Sequence, residues 1–311
     1  MATKIEWTEE TWNPIAGCTK CSPGCDNCYA ERMANRLNWM GISGYEIATD
    51  LNTGKWTGHV TCIESKLDFP LHWRKPRQIF VNSMSDTFHE KVPFKFIEKI
   101  WDVMLDCMNI RNNHVWSLRQ YHTFQILTKR IDRALEFSEW MIKRHNRRID
   151  YSNIWLGVTV CTPEEKPKID ILRQIPAAVR FISFEPLLAD MGDIDLEGIS
   201  WCIVGGESGP NARPVHPDWA RGIRDQCIAA GVPFFFKQWG EYTNDGPGLV
   251  IENDVVFLKD GTLMDVKDVM KDWRKYYDSP TDCVWMKRIG KKKAGSLLDG
   301  KEWKQYPKDT K

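Results

Sequence analysis

Four of the chain's ten cysteines crowd into one short stretch, Gly17-Cys18-Thr19-Lys20-Cys21-Ser22-Pro23-Gly24-Cys25-Asp26-Asn27-Cys28. Thiolates packed this closely repel one another unless a metal ion or cluster neutralises them. The Ser-Pro-Gly turn between Cys21 and Cys25 bends the backbone so that the sulfurs can converge. Any fold for this chain must therefore present the loop on a rigid scaffold, and the first reading of the loop is a metal site.

Three ligand sets compete. A zinc ribbon needs two Cys-x-x-Cys knuckles separated by roughly 12–20 residues, and here only Ser22-Pro23-Gly24 intervenes. A bacterial ferredoxin run reads Cys-x2-Cys-x2-Cys-x3-Cys-Pro, a different order. The third set is a cluster held by three cysteines with one iron left open, and Cys21-x3-Cys25-x2-Cys28 has the spacing found in radical S-adenosylmethionine enzymes. The plain alternative is a loop of reduced structural or redox-labile cysteines.

A chain of 311 residues suits one large α/β domain with insertions or two ordinary domains. The net charge of +1 points to no particular partner. Basic clusters at residues 74–77, 143–148 and 287–293 are solvated faces or phosphate contacts. The first residues carry no apolar signal region, and no later run reaches the about 18 apolar residues of a membrane span, so a cytoplasmic protein is expected. Cys62, Cys107, Cys161, Cys202, Cys227 and Cys283 sit among apolar neighbours, as reduced core thiols do. Most of the fifteen tryptophans should be core, with a few left for stacking surfaces.

In order, the chain alternates short apolar strands with helical stretches, the pattern of parallel βα units. A first strand is expected at residues 5–7, then the cysteine loop, a helix at 28–39 and an irregular insertion at 40–71. Strands follow at 78–86, ending in polar residues, and at 123–127, 154–160, 179–186, 201–208 and 233–236. Helices are expected at 93–107, after 130, at 164–174 and at 218–230, the last stopped by Gly231. A further excursion is expected at 109–122. The fold class is α/β, a partial parallel (β/α) barrel of six to seven units over residues 1–240, with a C-terminal extension over 241–311.

These strands are nearly continuous apolar runs, as expected when both faces are covered. Their ends are polar: Asn82, Ser83, Ser85 and Asp86; Thr128 and Lys129; Thr159; Ser183 and Glu185; Glu207 and Ser208; Lys237 and Gln238. In a parallel barrel such residues share the C-terminal rim, where active sites lie. Any one of them is equally a salt bridge or a cap; the set is harder to explain that way. Gly205-Gly206-Glu207-Ser208-Gly209 fits neither the P-loop nor the dinucleotide fingerprint, and its glycines suggest close approach to a ligand.

The segments Ile5-Glu6-Trp7-Thr8, Thr11-Trp12-Asn13-Pro14, Gly17-Cys18-Thr19-Lys20, Ser22-Pro23-Gly24-Cys25, Cys28-Tyr29-Ala30-Glu31, Phe80-Val81-Asn82-Ser83-Met84-Ser85-Asp86, Leu127-Thr128-Lys129-Arg130, Glu185-Pro186-Leu187-Leu188, Val204-Gly205-Gly206-Glu207-Ser208-Gly209-Pro210 and Phe235-Phe236-Lys237-Gln238-Trp239-Gly240 are similar to a phage-associated family of the radical S-adenosylmethionine superfamily. The resemblance runs over residues 5–240 and a closing Leu297-Leu298-Asp299-Gly300. It implies a barrel of the radical S-adenosylmethionine type. It also implies a [4Fe–4S] cluster on Cys18, Cys25 and Cys28, with Cys21 as the alternative ligand favoured by spacing. The cluster would reduce S-adenosylmethionine to methionine and a 5′-deoxyadenosyl radical that takes a hydrogen atom from substrate. Asn82, Ser83, Ser85 and Asp86 would hold the methionine amino group, and Thr159 and Glu185 the ribose. Asn27 stands where an aromatic residue often contacts adenine, so Tyr29 or backbone groups take that place. Lys129, Glu207, Ser208, Lys237 and Gln238 are assigned to catalysis or substrate, and Cys161 to returning a hydrogen atom. An electron donor such as flavodoxin or ferredoxin is implied as partner.

For substrate, a nucleobase or nucleotide is expected, extending to a modified thymine in phage DNA, where the base must leave the stack. The extension, with Val255-Val256-Phe257-Leu258 before Asp260-Gly261 and a strand at 282–286, is read as a substrate hairpin and lid or as a barrel plug. From another class comes a non-catalytic nucleic-acid-binding protein with a four-cysteine structural zinc.

Overall fold

The computed structural model describes residues 5–109, 122–146, 151–244, 254–259, 261–271 and 283–307. Residues 110–121 of the expected excursion, the basic residues Arg147 and Arg148, and positions 260 and 282 of the extension lie outside them. In chain order the elements are β1 (Glu10–Trp12), β2 (Ile15–Ala16), α1 (Tyr29–Trp39), β3 (Thr61–Cys62), β4 (Gln78–Val81), α2 (Phe94–Asn109), β5 (Thr123–Thr128), α3 (Ile131–His145), β6 (Ile154–Thr159), α4 (Pro167–Gln174), β7 (Val179–Phe184), β8 (Trp201–Gly205), α5 (Pro217–Ala230), β9 (Phe234–Gln238), β10 (Tyr242–Thr243), β11 (Val255–Phe257), β12 (Leu263–Asp265), α6 (Val266–Lys271), β13 (Val284–Arg288), α7 (Lys291–Ala294), β14 (Leu297–Leu298) and β15 (Lys301–Glu302). The fold is α/β, with a seven-stranded sheet in the order β1-β4-β5-β6-β7-β8-β9. Among the described residues no helix is long and apolar enough to cross a membrane.

By contacts the chain forms two units, Met1–Val160 with Glu164–Ser183 and Glu197–Trp201, and Cys161–Pro163 with Phe184–Leu196 and Cys202–Lys311. In the first, β1 pairs in parallel with β4, β4 with β5, β5 with β6 and β6 with β7. Every residue of β6 is buried, which explains its unbroken apolar run. Helix α1 begins one residue after Cys28 and buries Ala30, Ala34 and Asn38 on one face.

The expectation of a strand at residues 5–7 is not met: those residues form a turn, and the first strand is Glu10–Trp12. The apolar Trp7 misled because it is core without being strand. Its ring is 2% exposed and lies 4.8 Å from the Phe80 ring, with Phe181 and Trp201 at 6.2 and 6.3 Å. Thr8 Oγ1 donates to the Gln78 carbonyl, fixing the turn beside β4.

In the second unit β8 pairs in parallel with β9, with an irregularity between Val204 and Gly205. Helix α5 ends as expected at Gly231, whose φ of 67° is the left-handed conformation that lets its N–H reach the last turn. The extension forms a four-stranded antiparallel sheet in the order β10-β13-β11-β12. The expected hairpin is its β11–β12 pair, closed where the Leu258 N–H donates to the Thr262 carbonyl. Tyr242, Val255, Phe257 and Met286 pack with Ala212 and Trp219 beneath this sheet.

Candidate functional site

The cysteine loop hangs between two backbone anchors. Ahead of it β2 pairs with β3, and Gly17 follows with φ of 91° and the His59 carbonyl so near that an added Cβ would lie 2.1 Å from its oxygen, so only glycine fits. Gly17 also bridges to Ser85 in the turn after β4. Behind it, Cys28 caps the start of α1. Within it, the Ser22 hydroxyl accepts from Gly24 N–H and the Cys25 N–H donates to the Ser22 carbonyl, the expected Ser-Pro-Gly turn.

The four thiols differ in setting: Cys25 is buried, Cys18 and Cys28 are half-buried, and Cys21 is exposed. A hydrogen bond from the Cys21 thiol brings Cys25 down to about 5 against the opposing effect of burial, and the Lys129 ammonium helps. The same bond, with burial, pushes Cys21 up. Burial, and repulsion from Asp86, Cys28 and Cys25, push the Cys18 thiol up to about 12, against the pull of Arg130. Of the Cys21–Cys25 pair, Cys25 is the one held towards its thiolate. Any metal ligation through Cys18 must release its proton.

Beneath the loop lies a saturated polar scaffold. Asp86 accepts from Phe88 N–H at 2.9 Å, Thr128 Oγ1 at 2.8 Å, Lys129 N–H at 3.1 Å and Arg130 Nη1 at 3.4 Å. Asn82, at φ of 59°, accepts from Ile15 N–H and donates to Thr87 Oγ1. Ser83 donates to Asn13 Oδ1 and Ser85 to the Ile15 carbonyl. Tyr29 Oη donates to the Ser83 carbonyl across 2.9 Å. The residues assigned to the methionine group are therefore brought together at the end of β4, and each holds a neighbouring segment in place. Thr159, at the end of β6, is 1% exposed, and among the described residues its hydroxyl has no hydrogen-bond partner.

In the second unit, Glu185 and Lys237 meet at 2.9 Å, so each of these costly charges answers the other. Glu207 is gripped by Arg213, whose N–H and Nε donate to Oε2 at 2.9 Å and whose Nη2 donates to Oε1 at 2.7 Å. Gln238 donates to the Gly206 carbonyl and accepts from Gly240 N–H, both at 2.8 Å. Ser208 follows Glu207 and is half-buried. An added Cβ on Gly206 would lie 1.9 Å from the Trp239 carbonyl oxygen, and one on Gly205 2.6 Å from Glu185 Oε1. The room these glycines leave is taken by the protein's own atoms, not held open for a ligand. Cys161 is fully buried, and its carbonyl accepts from Leu188 N–H.

Three partners escaped assignment from the sequence. Arg130 and Arg213 each answer a buried acid, and Glu31 is buried where it accepts from Trp56 N–H, tying the insertion to α1. Their shared signal is general: a buried carboxylate demands a donor.

Among the described residues, no three His, Cys, Asp or Glu side chains converge as ligands of one ion. A four-iron cube takes each protein thiolate on a different iron, so its ligands stand farther apart than those around a single ion. Cys18, Cys25 and Cys28 share one loop, Cys18 feels the charge of the other two and of Arg130, and Cys25 that of Lys129, a soft donor set that fits such a group.

No curated protein matches the chain. A solved malate synthase from Haloferax volcanii, in its magnesium–glyoxylate complex, matches with 16% identity and a TM-score of 0.27 over 75% of this chain and 64% of that one, too distant to inform fold or activity. A family match spans residues 2–307, and the chain belongs to the family described as "Protein of unknown function (DUF5131)".

Proposed function

We propose that this chain is a radical S-adenosylmethionine enzyme whose Cys18, Cys25 and Cys28 hold a [4Fe–4S] cluster, with a nucleobase or nucleotide as substrate. The observation that carries the reading is the cysteine loop fixed against Asp86, Lys129 and Arg130 at the ends of parallel strands, with Cys25 already tuned towards its thiolate. Cys18 is favoured over Cys21 because it lies inside this polar scaffold, whereas Cys21 is exposed and spends its thiol on Cys25. When bound, the cluster would deliver one electron to S-adenosylmethionine and yield the 5′-deoxyadenosyl radical that abstracts hydrogen from substrate.

The chain's own residues would position and shield. Arg130 and Lys129 offset the negative charge of the thiolates. The buried Thr159 hydroxyl, unpartnered among the described residues, is suited to a ribose hydroxyl, since leaving it unpaired costs about 1–3 kcal/mol.

The test is anaerobic reconstitution with iron and sulfide, then incubation with dithionite and S-adenosylmethionine. We expect 5′-deoxyadenosine, abolished by Cys25→Ala and Cys28→Ala, with Cys18→Ala losing the cluster and Cys21→Ala keeping it. Stoichiometric zinc in place of iron, or a loaded protein that leaves S-adenosylmethionine intact, would overturn the proposal.

A further inference from the structure

The guanidinium of Arg130 makes five polar contacts, and four bear on the cysteine loop or its scaffold. Nη2 donates to the Thr19 carbonyl at 2.9 Å and to Thr19 Oγ1 at 2.8 Å. Nη1 donates to Cys18 Sγ at 3.8 Å and to Asp86 Oδ2 at 3.4 Å, and Nε donates to Glu90 Oε2 at 3.0 Å. Its backbone is fixed in turn, because its N–H donates to Thr128 Oγ1 at 2.9 Å. The side chain is only 11% exposed. His89 closes the network from behind, its Nε2 at 2.9 Å from Thr19 Oγ1.

Resting on the function proposed above, we infer that Arg130 is a positioning residue that clamps the Cys18 segment to the β4 and β5 ends and, through its N–H to the Cys18 sulfur, raises the reduction potential of the cluster held there. The physics has two parts. A planar fork sets five N–H donors on three nitrogens and meets all five acceptors at once, whereas an ammonium has three donors on one nitrogen. A cation and N–H donor at a ligand sulfur favour the reduced, more negative state of an iron–sulfur centre over the oxidised one. Asp86 and Glu90 flank the same guanidinium, so they hold it in place while tempering its charge at the sulfur.

The experiment compares the full-length wild-type chain with Arg130→Gln and Arg130→Lys after anaerobic reconstitution. It measures iron per chain, the midpoint potential by EPR-monitored titration, and folding by circular dichroism before loading. A folded Arg130→Gln protein should carry less iron, or titrate at a more negative potential than wild type. Arg130→Lys, which keeps the charge without the fork, should fall between the two. Should Arg130→Gln not fold, Arg130→Lys alone is read, and a lower iron load or potential than wild type supports the role. Full loading and an unchanged potential in the folded variants overturn the inference and leave the proposed function standing. A wild-type chain that takes up no iron takes both down.

Discussion

Replacing Asp86 by Asn tests the scaffold beneath the cysteine loop with little change of shape. Asp86 and Arg130 side chains are 8% and 11% exposed, so solvent does little to soften a loss there. An asparagine keeps one oxygen for Phe88 N–H and Thr128 Oγ1 but turns an NH2 towards the donors Lys129 N–H and Arg130 Nη1. Hydrogen bonds to a charged group contribute about 1.5–3 kcal/mol each. The Lys129 bond is 3.1 Å and the Arg130 contact a long 3.4 Å, so both are set at the lower end. The loss is then about 3 kcal/mol, roughly two powers of ten in the opening equilibrium of this segment at 1.4 kcal/mol per tenfold. Hydrogen exchange on the metal-free protein reads it directly: the Lys129 amide should exchange about a hundredfold faster in Asp86→Asn. Exchange within about threefold of wild type would show that Asp86 does not hold this rim together.

Arg213→Met should destabilise the second unit by about 3 kcal/mol, because it takes the cation and two side-chain hydrogen bonds from the buried Glu207 carboxylate, whereas Glu207→Gln combined with Arg213→Met should recover most of that loss. Chemical denaturation of the four-member cycle measures it, and equal effects in the single and double variants would refute the pairing. In α2, burial would raise the Glu98 carboxyl, but hydrogen bonds from Arg144 and His145 outweigh it and hold the group below its ordinary 4.5. A lowered folded value stabilises the fold above 4.5, and that contribution disappears as pH falls through the folded value. Melting curves from pH 6 to pH 3 should therefore drop more steeply for wild type than for Glu98→Gln. Finally, the lowered Cys25 thiol predicts that, without metal, alkylation of the Cys21–Cys25 pair keeps its rate from pH 8 to pH 6, while an ordinary thiol slows about a hundredfold. Mass spectrometry after timed iodoacetamide exposure decides, and a pair that slows as free glutathione does in the same tube would contradict the assignment.

The parallel strands were readable because burial on both faces leaves unbroken apolar runs, as in β6 and β8. Helix α1, the Ser-Pro-Gly turn and the stop at Gly231 were readable because each rests on chemistry local to a few residues. Trp7 was misread for the converse reason. A single large apolar side chain looks the same whether its backbone is a strand or a turn, and only Phe80, Phe181 and Trp201 around it distinguish the two. The polar strand ends were visible as a set, but not their partners. That Glu185 would meet Lys237, Glu207 meet Arg213 and Asp86 meet Arg130 depends on contacts made only once the chain has folded. Costly charges announce that a partner exists without saying where it lies along the chain.

The interleaving of the two units limits how this protein can be cut or built. The chain changes unit after Val160, Pro163, Ser183, Leu196 and Trp201. No single break in the polypeptide, whether by a protease or a shortened gene, separates the two units: wherever it falls among these points, at least one unit is divided between the fragments. A fragment ending at any of these points would carry strand edges stripped of neighbours, and such edges invite aggregation. A split-protein reporter cut at any of these points would have to rebuild at least one unit from two fragments, and a cut after Pro163, Ser183 or Leu196 would have to rebuild both.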